Sequence, residues 1–173
     1  MITAWIDGSN VYGSDATRAQ ALRTLDGTGR LKMSAGRLLP YNTDGLPNAP
    51  STAPTFFLAG DIRANEQVGL TALHTLFVRE HNHWATLIHG AFPGMSGDLI
   101  YELTRTLVVA ELQAITYREF LPVLLGEDAL QSYRGYRDDV DPGISNIFAG
   151  AAYRVGHTKL PESLLRQDST GGT

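Results

Sequence analysis

Two long stretches with helical periodicity, separated by Pro93-Gly94, set the frame of this chain. In the first, residues 66–89, Leu70, Leu73, Phe77, Trp84 and Ile88 share one face at 3.6-residue spacing, which predicts an amphipathic helix. In the second, residues 98–118 ("DLIYELTRTLVVAELQAITYR"), apolar side chains occur on most sides. That predicts a deeply buried helix with Asp98 as its cap. Residues 15–26 read as a shorter helix, with Asp15 as N-cap and Ala19, Leu22 and Leu25 spaced by three. Residues 27–55 are rich in glycine and proline and predict a long irregular segment with a short strand at Leu38–Leu39; a loop of that length often wraps something. "EFLPVLLG" predicts a short helix or turn ended by Gly126. Residues 141–158 predict a further helix, with Asp141-Pro142 at its N-cap and first position. The fold class is mainly α with long loops.

Composition narrows the function classes. With 173 residues, 43% of them apolar, the chain can bury a core. A net charge of -4 without a long run of one sign gives no footprint for nucleic acid. The absence of cysteine removes disulfide scaffolds, zinc–thiolate sites, Fe–S clusters and cysteine nucleophiles together. No run approaches the ~18 apolar residues of a membrane span, and "MITAWIDGSN" lacks the pattern of a signal peptide.

The chemistry-bearing residues are few. In "GDIRANEQ" (60–67), Arg63 and Glu66 sit three apart, so on a helical turn they project from one face; a solvated ion pair is the ordinary reading of such a pair. His74 and His81 lie at the edge of the first helix's apolar stripe, where histidines are mostly satisfied core or boundary residues. Glu80 and His83 have the Glu-x-x-His spacing of carboxylate-bridged metal pairs, but no second copy exists to complete one. His89, in the last turn, suits the helix dipole. His157 falls off the apolar face of 141–158, near Gly150 and Tyr153. It is either a surface histidine beside a small residue or one with room for a flat group against the backbone; Arg154, one turn earlier, could meet an acidic group of the same ligand. "TAWIDGS" alternates Thr3, Trp5, Asp7 and Ser9. That is either a half-buried strand or a set of oxygen donors for a hard cation such as Ca²⁺, with one carboxylate too few on its own.

Taken in order, "TAWIDGSNVYGSD", "FFLAGDIRANEQ", "LTALHTLFVREHNHWA", "ITYREFLPVLLG" and "VDPGISNIFAGAAYRVGHT" resemble successive blocks of the animal-type haem peroxidases, at familiar spacing. The resemblance implies a haem-peroxidase-type helical domain around a buried haem b. It implies His157 as the axial iron ligand, Arg63 as the distal arginine, and Glu66 as a glutamate that several members link to a haem methyl by an ester. It places Thr3, Trp5 (through its carbonyl), Asp7 and Ser9 on a Ca²⁺ loop, and Arg154 near the proximal haem face. Gln67 stands where one member carries a methionine bonded to a haem vinyl, so that link is expected to be missing.

The family's distal histidine, a second Ca²⁺ aspartate and a second ester aspartate are expected upstream of Thr3. The asparagine that would bond the proximal imidazole is expected after the proximal helix. Residues 1–173 are therefore expected to be the central part of one domain, incomplete at both ends and weakly active or inactive alone. The implied reaction is reduction of H₂O₂ coupled to oxidation of halide, thiocyanate or small aromatic donors, in an extracellular setting. The rival expectations are a haem-dependent fatty-acid dioxygenase of the same superfamily and a non-catalytic helical interaction domain.

Overall fold

In the computed structural model, which describes residues 3–167 and Thr170, the chain divides into two compact units, Met1–Arg134 and Gly135–Thr173. The first holds the predicted helix pair. Helix α1 (Ser9–Tyr12) is a single turn. Helix α2 (Ala16–Leu22) opens on Asp15, whose carboxylate accepts Arg18 N–H at 2.9 Å, as its N-cap role predicts. It stops at Leu22 rather than residue 26, because Arg23 turns extended to bridge Leu31, and Leu25 adopts a left-handed φ of 56° and stands exposed.

Helix α3 spans Val68–Ala91. Its start is set by Gln67, whose Oε1 accepts Leu70 N–H at 2.8 Å, so Glu66 lies outside the helix. The buried stripe is His74, Thr75, Val78, His81 and Ala85, with Phe77 and Trp84 half-buried and Leu73 exposed. The buried face is thus rotated from the expected one, and both histidines lie at its centre. Helix α4 (Gly97–Ile115) is capped by Ser96, whose Oγ accepts Leu99 N–H at 3.3 Å; Asp98 sits in the first turn and pairs with Arg23. Helix α4 packs on α3 and buries Ile100, Tyr101, Thr104 and Val108. Leu99, Leu103 and Leu107 are exposed, against the expectation of burial on most sides, because no described element covers that flank. A π-helical turn (Thr116–Phe120) follows, then α5 (Leu121–Leu125), ended at Gly126 with φ 99°.

No strand forms at Leu38–Leu39. Ser34 and Leu38 make an isolated bridge around a 3₁₀ turn (Ala35–Arg37), and Leu39 is fully buried. Side-chain amides take over the pairing that a sheet would provide. Asn82 on α3 accepts Leu31 N–H at 2.8 Å and donates to Leu31 O at 2.9 Å. Asn65 does the same to Phe57 at 3.0 and 2.8 Å. Fully buried Asn42 donates to Leu46 O and Thr52 O and accepts Leu46 N–H. The irregular segment thereby delivers Leu31, Leu39 and Leu58 to the same core as Val11, Tyr12, Leu22, Val78 and Val108. Burying each such aliphatic side chain is worth about 1.5–3 kcal/mol.

The second unit begins without regular secondary structure, Gly135 at φ 104°, and the helix expected over 141–158 does not form in one piece. Asp141 accepts Gly143 N–H at 2.8 Å in a turn, and helix α6 (Asn146–Gly150) starts only after Ser145, whose Oγ accepts Phe148 N–H at 3.2 Å. Ala151 (φ −126°, ψ −69°) breaks the α geometry, and a 3₁₀ helix (Ala152–Lys159) follows. Ile144, Ile147, Phe148, Ala151 and Val155, the expected apolar face, are exposed. Among the described residues, no helix is long and apolar enough to cross a membrane.

Candidate functional site

Arg63 sits on a pair of overlapping turns rather than a helix: Ala64 N–H donates to Asp61 O at 3.3 Å, and Glu66 N–H to Arg63 O at 2.9 Å. The guanidinium is held side-on by the preceding carboxylate. Nε donates to Asp61 Oδ1 at 2.9 Å and Nη2 to Oδ2 at 2.6 Å, while Arg63 N–H also donates to Oδ1 at 2.8 Å. Arg63 keeps 53% of its side chain exposed, whereas Asp61 keeps 13%. The Arg63 guanidinium holds the Asp61 carboxyl below the usual carboxylate range, against an opposing effect of burial. The expected Arg63–Glu66 pairing of a helical turn is replaced by this Asp61–Arg63 pair. Glu66 is exposed.

This turn is docked on the segment carrying the Ca²⁺-loop candidates. Asp61 N–H donates to Asn10 O at 3.0 Å. A Cβ on Gly60 would stand 2.5 Å from Ser9 O and Asn10 O and 2.6 Å from Val11 C, so the two backbones touch. In the loop itself, Thr3 Oγ1 accepts Trp5 N–H at 3.0 Å and Asp7 Oδ1 accepts Ser9 N–H at 2.9 Å. These are two separate local ties, Thr3 with Trp5 and Asp7 with Ser9; the sole carboxylate among the four is Asp7. Among the described residues, no cluster of three or more His, Asp or Glu side chains gathers at one point. The donors that fit a hard cation here are hydroxyl, carbonyl and a single carboxylate oxygen.

In the second unit, Arg154 and His157 lie three apart on the 3₁₀ helix, which places them on one edge. Both are exposed, and the His157 ring makes no hydrogen bond to a described residue. A Cβ on Gly150 or Gly156 would meet nothing within 4 Å. The break at Ala151 removes the single helical stripe expected to carry Gly150 and His157 together, which leaves Gly156 as the glycine adjoining the histidine; an imidazole with unengaged ring nitrogens is a donor that fits a haem iron.

The remaining histidines are structural or peripheral. His81 is fully buried: its Nε2–H donates to Gly29 O at 2.9 Å, so Nδ1 is the acceptor for the Tyr12 hydroxyl at 3.0 Å. Burial pushes its pKa from 6.5 down to about 4, the Gly29 carbonyl opposing and Arg23 adding to the effect. Burial likewise pushes the Tyr12 phenol well above its ordinary value. His81 therefore stays neutral in the fold but charges near 6.5 once unfolded. Below that pH the unfolded chain binds the extra proton, so stability falls as pH drops from 6.5 toward 4 and levels off below. At 1.36 kcal/mol per pH unit the loss is ~3 kcal/mol. Urea midpoints at pH 7 and 4 check this: the wild type should lose that much more than His81→Gln, and equal slopes would refute it. His74 is also buried; its Nδ1–H donates to Leu70 O at 2.8 Å, and Nε2 has no described partner. His83 and His89 make no contact with the Arg63 turn in the bonds and ring contacts described. Asp61 and Gly60 were not singled out in the sequence, although Asp-x-Arg after a glycine is the spacing of a turn closed by its own aspartate.

Comparison with known proteins now places the chain. Residues 1–173 match the family described as Animal haem peroxidase. A mouse peroxidasin homolog is 43% identical over 180 residues, covering 96% of this chain and 12% of its own length. Among solved structures, peroxidase A of Dictyostelium discoideum aligns with a TM-score of 0.81 at 32% identity, covering 88% of this chain and 31% of that one. A fatty acid alpha-dioxygenase of Oryza sativa aligns with a TM-score of 0.60 at 32% identity, covering 71% of this chain and 18% of that one. The mainly helical fold is that of the peroxidases. The chain belongs to the animal haem peroxidase family, and that membership implies haem as the cofactor. It spans about an eighth of the peroxidasin homolog and under a third of the Dictyostelium enzyme.

Proposed function

We propose that this chain supplies haem-binding and peroxide-activating residues to a haem-dependent peroxidase. H₂O₂ is reduced to water while a halide or small organic donor is oxidised. One observation carries the reading: Arg63 stands at the surface of its unit yet is fixed by both oxygens of a sunken carboxylate, on a turn docked against α1. A solvated surface arginine needs no such fixing.

When bound, haem supplies the redox centre that takes up the oxidising equivalents of the peroxide and passes them to the donor. His157 would hold its iron through a ring nitrogen, and Arg154 would meet an acidic group of the cofactor. Breaking the peroxide bond pushes negative charge onto the departing oxygen. A fixed guanidinium stabilises that charge by about 3 kcal/mol per donor in comparable oxyanion sites. Arginine suits this because it stays charged and presents several N–H groups in a rigid fork. Glu66 would reach the porphyrin edge and could carry the ester link. Gln67 is already engaged as the cap of α3, which supports the absence of a third link. Thr3, Trp5, Asp7 and Ser9 would hold Ca²⁺, and the setting would be extracellular, as in the family. The domain reading, with residues 1–173 forming the central part of one peroxidase domain, belongs to the same proposal.

The test is haem-loaded protein given H₂O₂ and an aromatic donor. The expected result is peroxide-dependent donor oxidation that is weak or absent for residues 1–173 alone and present in the whole domain, where Arg63→Ala should lower kcat/KM for H₂O₂ roughly 100-fold or more. Oxygen uptake with palmitate and no dependence on H₂O₂ would replace this reading with a fatty-acid dioxygenase. The higher TM-score and wider coverage of the Dictyostelium peroxidase favour the first outcome. Failure of the wild type to take up haem would leave the non-catalytic helical reading.

A further inference from the structure

We propose that Asp61 is a positioning residue: it fixes the guanidinium of Arg63 in one orientation, and Arg63 loses its function without it. The inference rests on the reading of Arg63 as the cation that faces peroxide. The geometry carries it in three steps.

First, the pairing is side-on and uses both carboxylate oxygens, so it sets the plane of the guanidinium as well as its distance. Oδ1 takes Nε–H at 2.9 Å and Oδ2 takes Nη2–H at 2.6 Å. In that arrangement the Nη1 amino group lies on the far side of the guanidinium from Asp61. The third bond, from Arg63 N–H to Oδ1, ties the carboxylate to the backbone of the residue it orients.

Second, the carboxylate cannot easily wander. Asp61 is anchored through its own N–H to Asn10 O at 3.0 Å, and Gly60 before it is pressed on the α1 backbone. Its side chain is sunken while that of Arg63 is exposed. A long arginine on a surface turn would otherwise sample many rotamers, and only a fraction would meet a reacting oxygen.

Third, the substitution chemistry is asymmetric. An asparagine offers one acceptor oxygen, and its NH₂ would face N–H donors of Arg63, so it breaks the fork without changing the size of the side chain. The other charged or titratable groups that act on Asp61 are the buried Arg18, held on Ala59 O and Pro47 O, and His74 of α3. Loss of the Asp61 charge is therefore felt by Arg18 as well, and a second variant that keeps the charge is needed. Asp61→Glu keeps it but moves the carboxylate by a methylene.

Two measurements test this. The first needs no cofactor: exchange of the Arg63 Nε–H in ¹⁵N-arginine-labelled protein, assigned by its loss in Arg63→Ala. It should quicken roughly 10- to 100-fold in Asp61→Asn, the factor a charge-assisted hydrogen bond confers, and by less in Asp61→Glu. Unchanged exchange in both variants overturns the proposal; if Asp61→Asn does not fold, Asp61→Glu decides alone. The second is kcat/KM for H₂O₂ in the haem-loaded protein, which should fall roughly 10- to 100-fold in Asp61→Asn with little change in KM for the donor. Adding Asp61→Asn to Arg63→Ala should then cost almost nothing further, because the residue acts only through Arg63. Additive losses overturn the proposal. An Arg63→Ala variant with wild-type kcat/KM overturns the peroxide-facing role instead, and the exchange measurement separates that failure from a failure of the pairing.

Discussion

Replacing His157 with alanine should abolish stable haem binding. In a titration followed by the Soret band, affinity is expected to fall by more than roughly 100-fold, since outer-sphere changes alone bring 10- to 100-fold losses. The motive is an imidazole on the 3₁₀ helix with no hydrogen bond to a described residue, directly after Gly156, where a Cβ would meet nothing within 4 Å. Added imidazole should restore part of the spectrum in His157→Ala, because it can occupy the vacated coordination position. His83→Ala is the control: that ring packs edge-on against Trp84, and its loss should leave the Soret band in place. A His157→Ala variant that binds haem as the wild type does would remove the axial assignment.

The second large effect is expected at Gly60. Its φ is unremarkable, so the demand for glycine is one of space: the Cβ of an alanine would lie 2.5 Å from two backbone oxygens, Ser9 O and Asn10 O, and 2.6 Å from Val11 C. Those are backbone atoms of α1 and cannot swing aside as a side-chain tip could. Overpacking at a rigid backbone costs about 3 kcal/mol or more. At about 2–4 °C per kcal/mol for a chain of this size, Tm should fall by roughly 6–12 °C. Gly90→Ala is the matched control, with nothing within 4 Å and a place on the exposed side of α3. It should be neutral or stabilise by about 0.5–1 kcal/mol, the helix penalty of glycine. Equal Tm values for the two variants would show that the Gly60 contact is soft.

These expectations also show what could be read from the chain before its structure. Periodicity located α3 and α4, and Asp15 announced the start of α2, because those signals are local. The buried face of α3 was misplaced because helix rotation is decided by what packs on it; His74 and His81 are buried at the expense of Leu73. The helix over 141–158 failed for a related reason: Ser145 caps better than Asp141, whose carboxylate is spent on Gly143 N–H. As candidates, Arg63, Glu66 and His157 came into view only through the resemblance of whole blocks to a family. For Asp61 the only local signal was the Asp-x-Arg spacing of a self-closed turn, and for Gly60 there was none, since nothing in "GD" says that α1 will lie against it.

The amide clamps have a kinetic consequence. Asn82 reaches Leu31 across 51 positions of chain, and His81 reaches Gly29 across 52. Neither bond can form until a long loop has closed, so each is expected late, after the local turns of α3 and α4 are in place. Bonds made late are absent from the transition state and govern how fast the native state comes apart rather than how fast it assembles. Asn82 thus acts as a bolt on the irregular segment, slow to engage, whose hold shows in the lifetime of the fold.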